Sequence, residues 1–233
     1  MKHLAILLAF LVTLSAPVAA QDYEKGLAAY NAGDYATALQ EWKPLAEQGY
    51  TNAQYNLGVM YENGYGVTQD YKEAVKWYTL AAEQSDTGAQ YNLGFMYAHG
   101  NGVLQDYKEA VKWYTLAADQ GFANAQFNLG NRYSNGEGVP RDYKEAVKWY
   151  TLAAEQGYAN AQNSLGIMYA MGQGVLQDGI MAHMWTNIGS ANGSELGGTN
   201  RDIIAKKMTP EDISKAQAMA RECMSSNYKK CGY

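Results

Sequence analysis

From about residue 50 onward, the apolar positions of the chain recur with two periods at once. Over short range they follow a helix. Ala53, Leu57 and Tyr61 stand four apart, and Ala74, Trp77, Tyr78, Ala81 and Ala82 keep an i, i+3, i+4, i+7, i+8 order, so each set shares one helical face. Over long range the same residues return every 36 positions: Ala53, Ala89, Ala125 and Ala161; Leu57-Gly58, Leu93-Gly94, Leu129-Gly130 and Leu165-Gly166; Tyr61, Tyr97, Tyr133 and Tyr169; Trp77, Trp113, Trp149 and Trp185. A fixed period of this length marks a stack of supersecondary units, none of which buries its apolar face alone.

Each unit reads as two helices. The first stops at Gly64, with Gly66 one residue on, and the pair returns as Gly100/Gly102, Gly136/Gly138 and Gly172/Gly174. These glycines read as a left-handed C-cap and a tight turn; a dinucleotide loop needs a third spaced glycine and a preceding strand. The second helix opens on Asp70 as N-cap with Glu73 at N3, a capping-box order repeated at Asp106/Glu109 and Asp142/Glu145. It closes at Gly121 and Gly157, with Ser85 in the equivalent place, so Ser85 is expected to carry a left-handed backbone. Gly58 and its equivalents allow a neighbouring element to approach closely. The fold expected is all-α: an α-solenoid, a right-handed superhelix of helix-turn-helix units running from about residue 22 to 224, without strands.

The ends depart from the period. Residues 22–49 hold a shortened hairpin, Gly26 to Ala32 and then Asp34 to Gln48, suited to an N-terminal cap. In the last unit Gly179, Ile180, Met181 and His183 replace Tyr, Lys, Glu and Val. Thr209 as N-cap, Pro210 at N1 and Asp212 at N3 begin a final helix from about Pro210 to Met224, which seals the stack. Ahead of all this, Lys2-His3, the apolar run Leu4 to Leu14 and small residues to Ala20 read as a secretory signal peptide cleaved after Ala20; the run is shorter than the ~20 residues of a spanning helix. The chain thus divides into 1–20, signal; 21–49, capping hairpin; 50–193, four repeats (50–85, 86–121, 122–157 and 158–193); and 194–233, C-terminal helical cap and tail. The expected location is the periplasm or the medium.

Charge and composition remove classes of function. A net charge of −5 gives no general draw toward nucleic acid. Cys223 and Cys231, the two cysteines of the chain, are expected to form a local disulfide in an oxidising compartment. His3, His99 and His183 are scattered, so neither a metal site nor a cofactor is expected.

Taken together, Asn52-Ala-Gln-Tyr-Asn-Leu-Gly-Val-Met-Tyr, Gly64-x-Gly66-Val67, Tyr71-Lys-Glu-Ala-Val-Lys-Trp-Tyr and Ala81-Ala-Glu-Gln resemble the Sel-1-like repeat, a relative of the tetratricopeptide repeat. Residues 22–49 look more like a plain tetratricopeptide unit, and the run from Asn200 resembles the C-terminal segment that follows such repeats in exported bacterial proteins. The resemblance implies an adaptor or scaffold for partner proteins, host proteins among them, whose first helices line a concave face.

On that geometry the residues two before and two after the repeat leucine point into the groove: Tyr55, Tyr91, Phe127 and Asn163, beside Val59, Phe95, Asn131 and Ile167. Two readings stand. The row is a recognition surface with aromatic anchors, or it packs the inner helices together. Arg132 stands where Met60, Met96 and Met168 stand elsewhere; it either grips a partner carboxylate or covers apolar surface with its stem. The expected partner is a protein or peptide, with no nucleic acid, no membrane span and a monomeric chain. The alternatives are an envelope scaffold with endogenous partners only, or an enzyme. Ser226-x-x-Lys229 matches one motif of penicillin-interacting hydrolases without its companions. The cysteine-rich Sel-1-like group associated with β-lactams carries Cys pairs in successive units, which this chain lacks.

Overall fold

The computed structural model describes the backbone of residues 16–232. The signal-peptide reading falls mostly on residues outside this range. The described part contains twelve helices and no strand. An N-terminal hairpin, α1 (Ala16–Asn31) and α2 (Tyr35–Glu47), is followed by four repeat hairpins: α3 (Thr51–Asn63) with α4 (Tyr71–Glu83), α5 (Thr87–His99) with α6 (Tyr107–Asp119), α7 (Ala123–Asn135) with α8 (Tyr143–Ala154), and α9 (Ala159–Met171) with α10 (Gly179–Ala191). Two further helices, α11 (Gly197–Ala205) and α12 (Pro210–Ser225), close the C-terminal end. From α1 to α11 each helix packs on the next, and α12 returns to pack on α10, which makes an α-solenoid with a closed C-terminal end. No helix among the described residues is long and apolar enough to cross a membrane.

The aspartate N-caps form as expected. Asp70 accepts from the amides of Lys72 (2.9 Å) and Glu73 (3.2 Å), and Asp106, Asp142 and Asp178 repeat the pattern. The other half of the capping box does not form. The Asp70 amide donates instead to the Tyr61 carbonyl at 2.9 Å, tying the inter-helix loop back to α3, so no donor remains for Glu73. The Glu73 carboxylate turns to Lys76 at 3.2 Å.

Gly64 caps α3 with φ 72°, and Gly66 has φ 69°. The second glycine answers to more than the turn. A Cβ on Gly66 would fall 2.9 Å from the backbone of Tyr35, and one on Gly102 would overlap the Tyr71 carbonyl. Each Gly-x-Gly loop therefore rests directly on the first turn of the preceding unit's second helix. Gly58 and Gly94 serve the hairpin itself: the ring of Tyr78 or Tyr114 lies where their Cβ would be.

The core is not divided unit by unit. Trp77 joins the cluster of Trp42, Leu45, Leu57 and Met60, and Trp113 joins that of Tyr78, Leu93 and Met96. Each tryptophan thus fills the seam against the preceding unit. A buried glutamine crosses the same seam. Gln90, 3 % exposed, donates to the Ala82 carbonyl of the preceding unit (3.2 Å) and accepts from Gln120 of its own (2.7 Å). Gln54, Gln126 and Gln162 repeat this latch, with Asn192 replacing glutamine in the last. Because both ends of the amide are occupied, its burial carries no desolvation penalty for an unmade bond.

Ser85 has φ 68°, where Gly49, Gly121 and Gly157 have 94°, 88° and 82°. A left-handed backbone costs a residue with a Cβ about 1 kcal/mol. Ser85→Gly is expected to stabilise the protein by up to ~1 kcal/mol; an unchanged or lower urea midpoint would refute this.

At the C-terminus, Thr209 accepts from the Asp212 amide at 3.2 Å and α12 covers the end of the stack, with Ala216 and Ala220 buried. Cys223 and Cys231 are joined and buried. The tail is packed down rather than free. Asn192 donates to the Tyr228 hydroxyl at 2.7 Å, and Ser226 Oγ donates to the Cys223 carbonyl while accepting from the Lys230 amide. Ser226 of the Ser-x-x-Lys motif is thereby occupied in holding the tail.

Candidate protein-binding surface

The first helices of the repeats, α3, α5, α7 and α9, form one row, and the sequence places the candidate residues on it. Tyr55, Val59, Tyr91, Phe95, Phe127, Asn131 and Ile167 are all half-buried. The aromatic ones are supported from two sides. Tyr91 lies with its ring centroid 6.0 Å from Tyr114 of its own hairpin and 5.1 Å from Phe122 at the start of the next; Phe127 repeats this with Tyr150 (6.0 Å) and Tyr158 (5.2 Å). Tyr55 sits 5.9 Å from Tyr78. Phe95 stacks on the exposed His99 at 4.0 Å. These rings touch neighbouring helices of the stack, and each remains partly in contact with solvent.

Burial raises the hydroxyls of Tyr55, Tyr78 and Tyr91 above the usual phenol range, and a side-chain amide opposes this in each case, Asn92 for Tyr55 and Tyr78 and Asn128 for Tyr91. Asn56 donates to Tyr23 at 3.2 Å. Where Phe127 has no hydroxyl, Ser164 stands in place of the asparagine. Tyr78 donates to Glu62 at 2.5 Å, and its hydroxyl is held far above the usual phenol range by burial and by that carboxylate. Tyr150 donates to Asn131 at 2.7 Å, and burial pushes it up to about 12. The unusual Asn131 thus serves a buried hydroxyl of its own hairpin.

Two candidates lie elsewhere. Arg132 does not project from the row. Its equivalents Met60, Met96 and Met168 are buried, and Arg132 lies in the same seam. It pairs with Glu137 at 2.6 Å and stacks 5.1 Å from the Tyr107 ring of the preceding unit. The carboxylate it grips belongs to this chain, because Glu137 occupies the middle of the Gly136-x-Gly138 loop just above it. Asn163, 7 % exposed, is covered: Asn200 of α11 donates to it at 2.9 Å. The row therefore ends near unit three, and beyond it Ile167 faces an open cleft of about 640 Å³ between α9 and α11. Neither the Arg132–Glu137 pair nor α11 was read from the sequence, nor was the glutamine latch. A polar residue returning every 36 positions beside the buried Ala53 was the available sign of the latch.

Among the described residues no group of three or more His, Cys, Asp or Glu side chains is arranged to hold a metal. His183 is 2 % exposed and its Nδ1 finds no hydrogen-bond partner. Burial holds its pKa below the usual value, Arg201 adds to this, and Asp202 opposes it. In the unfolded chain a histidine titrates near ~6.5. As pH falls below that, the unfolded state takes up the proton first, so this residue's contribution to stability is full above pH ~6.5 and declines below it. His183→Val, the residue type of Val75, Val111 and Val147, is expected to lessen the fall in Tm between about pH 7.5 and about pH 5.5. Equal falls for both proteins would show that His183 does not titrate in this way.

The Sel1 repeat profile matches residues 51–86, 87–122, 123–158 and 159–194, each one residue later than the units drawn from the sequence. Among solved structures, the chain is similar to a protective antigen of uropathogenic Escherichia coli described as displaying an SLR fold, with 39% identity, TM-score 0.79 and coverage of 92% of this chain. This chain spans 46% of that longer protein. It is also similar to a Sel1 repeat protein from Oxalobacter formigenes, with 32% identity, TM-score 0.70 and coverage of 88% of this chain and 74% of the other. No curated protein matches significantly. Sel1 repeat proteins are generally scaffolds for protein–protein interaction. With four matched repeats spanning most of the chain and the same helical stack in these relatives, the chain belongs to the Sel1 repeat family.

Proposed function

We propose that this chain is an exported, monomeric scaffold without catalysis, which holds a partner protein or peptide on the row Tyr55, Val59, Tyr91, Phe95 and Phe127. The observation that carries the reading is the support behind Tyr91 and Phe127. Each ring is held by two aromatic neighbours and remains half-exposed. An aromatic group fixed before binding loses little entropy on contact and makes a strong anchor. Export is supported by the Lys2 to Ala20 pattern and by the Cys223–Cys231 bond. Cell fractionation tests it; retention of the full-length chain in the cytoplasm would refute it. Turnover of nitrocefin by the purified protein would refute the absence of catalysis.

The binding test begins with a pull-down on the mature chain. Tyr91→Ala and Phe127→Ala are each expected to weaken the captured partner by about 1–3 kcal/mol. Since both rings also pack the stack, each variant is compared by circular dichroism melting, and binding is measured well below its Tm. A folded double variant that binds as tightly as the wild type would exclude this face.

A further inference from the structure

The cleft between α9 and α11 lies where the repeat lacks one of its own side chains. Position 71 of the first repeat is tyrosine, as are its equivalents Tyr35, Tyr107 and Tyr143. Tyr35 stacks on Tyr65 of the next unit's loop at 4.6 Å, and Tyr107 lies under Arg132 of the next unit. Position 179 is glycine. No fifth repeat follows it; α11 and Met208 stand in that place, and the nearest atom to a Cβ added at Gly179 is Met208 Cγ, at 3.8 Å. The result is a cleft of about 640 Å³ walled by Ile167, Met171, Ile203, Ile204 and Met208. Met171 and Ile203 are 63 % and 51 % exposed, and Leu176 beside the rim is 91 % exposed. The unpaired charge on the α11 side is positive. Arg201 is tied to Asp202 at 2.8 Å, while the exposed Lys206 and the lining Lys207 make no ion pair among the described residues.

We infer that this cleft is a second docking site, separate from the Tyr91–Phe127 row, and that its occupant is a protein segment offering one aromatic side chain flanked by acidic residues. The aromatic ring takes the place that the repeat tyrosine leaves empty. Apolar walls with two methionines adapt to its shape, and the acidic flanks meet the lining Lys207 and the exposed Lys206 next to it, whose charges no ion pair among the described residues answers in a molecule of net charge −5.

The probe is a fluorescent pentapeptide amide, Glu-Glu-Phe-Glu-Glu, titrated against the full chain at low salt by anisotropy. Saturable binding with Kd of about 1 mM or tighter is expected, weakened about tenfold when its Phe is replaced by Ala. Gly179→Tyr restores the repeat residue and puts its ring into the cleft; it is expected to weaken the probe at least about tenfold. Lys207→Glu is expected to do the same and to favour a Lys-Lys-Phe-Lys-Lys probe in return. Should Gly179→Tyr fail to fold, Ile203→Glu on the exposed wall replaces it. The Tyr91→Ala/Phe127→Ala variant is expected to bind the probe normally, which separates this site from the proposed row. The inference is overturned by absence of binding, or by binding that folded Gly179→Tyr (or Ile203→Glu) and Lys207→Glu leave unchanged.

Discussion

Gly102→Ala is expected to destabilise the protein by about 3 kcal/mol or more, and Gly121→Ala by only ~1 kcal/mol. Both glycines have left-handed backbones, with φ 73° and 88°, so the conformational cost of a Cβ is common to the two. They differ in surroundings. Nothing lies within 4 Å of a Cβ at Gly121, whereas one at Gly102 meets the carbonyl of Tyr71 and the amide nitrogen of Lys72. Those are backbone atoms in the first turn of α4, held by the Asp70 cap, and no rotamer change moves them aside. The substitution must therefore push one repeat away from the next, loosening the Trp113 seam as well. Equilibrium urea unfolding of the two variants checks this. Equal losses would mean that the second glycine serves only the turn.

Trp113→Ala is expected to lower stability by ~3–5 kcal/mol, as removal of a large buried ring does. Trp113 is 9 % exposed and packs among Tyr78, Ala81, Leu93 and Met96, which come from two units. The vacated space is walled by helices held at a fixed spacing by the glutamine latches and the Gly-x-Gly contacts, so it collapses poorly. Lys112, 5.1 Å above the ring, contributes far less, and Lys112→Ala is expected to cost under ~1 kcal/mol. Urea unfolding gives both values. A loss below ~1 kcal/mol for Trp113→Ala would place the stabilising core within hairpins instead of between them.

The sequence by itself determined the helices of the four repeats, their ends and their order. The 36-residue period, the aspartate caps, the glycine at the end of each first helix and the left-handed Ser85 are properties of a few neighbouring residues, so they are legible in a linear chain. The final helix from Pro210 was legible for the same reason, through Thr209 and Asp212. Tertiary structure decided whatever depends on which surfaces meet. Glu73 lost its place in the capping box because the Asp70 amide is taken by Tyr61, nine residues back in the chain. For Arg132 the sequence left two readings, a grip on a partner carboxylate or a stem covering apolar surface, and only the packed loop above it supplies Glu137. Asn163 looked like one more rung until α11, a helix with no repeat pattern to announce it, folded across it and gave it Asn200. Local hydrogen bonding and periodicity are written along the chain, whereas burial is set by residues that only the packed stack brings together.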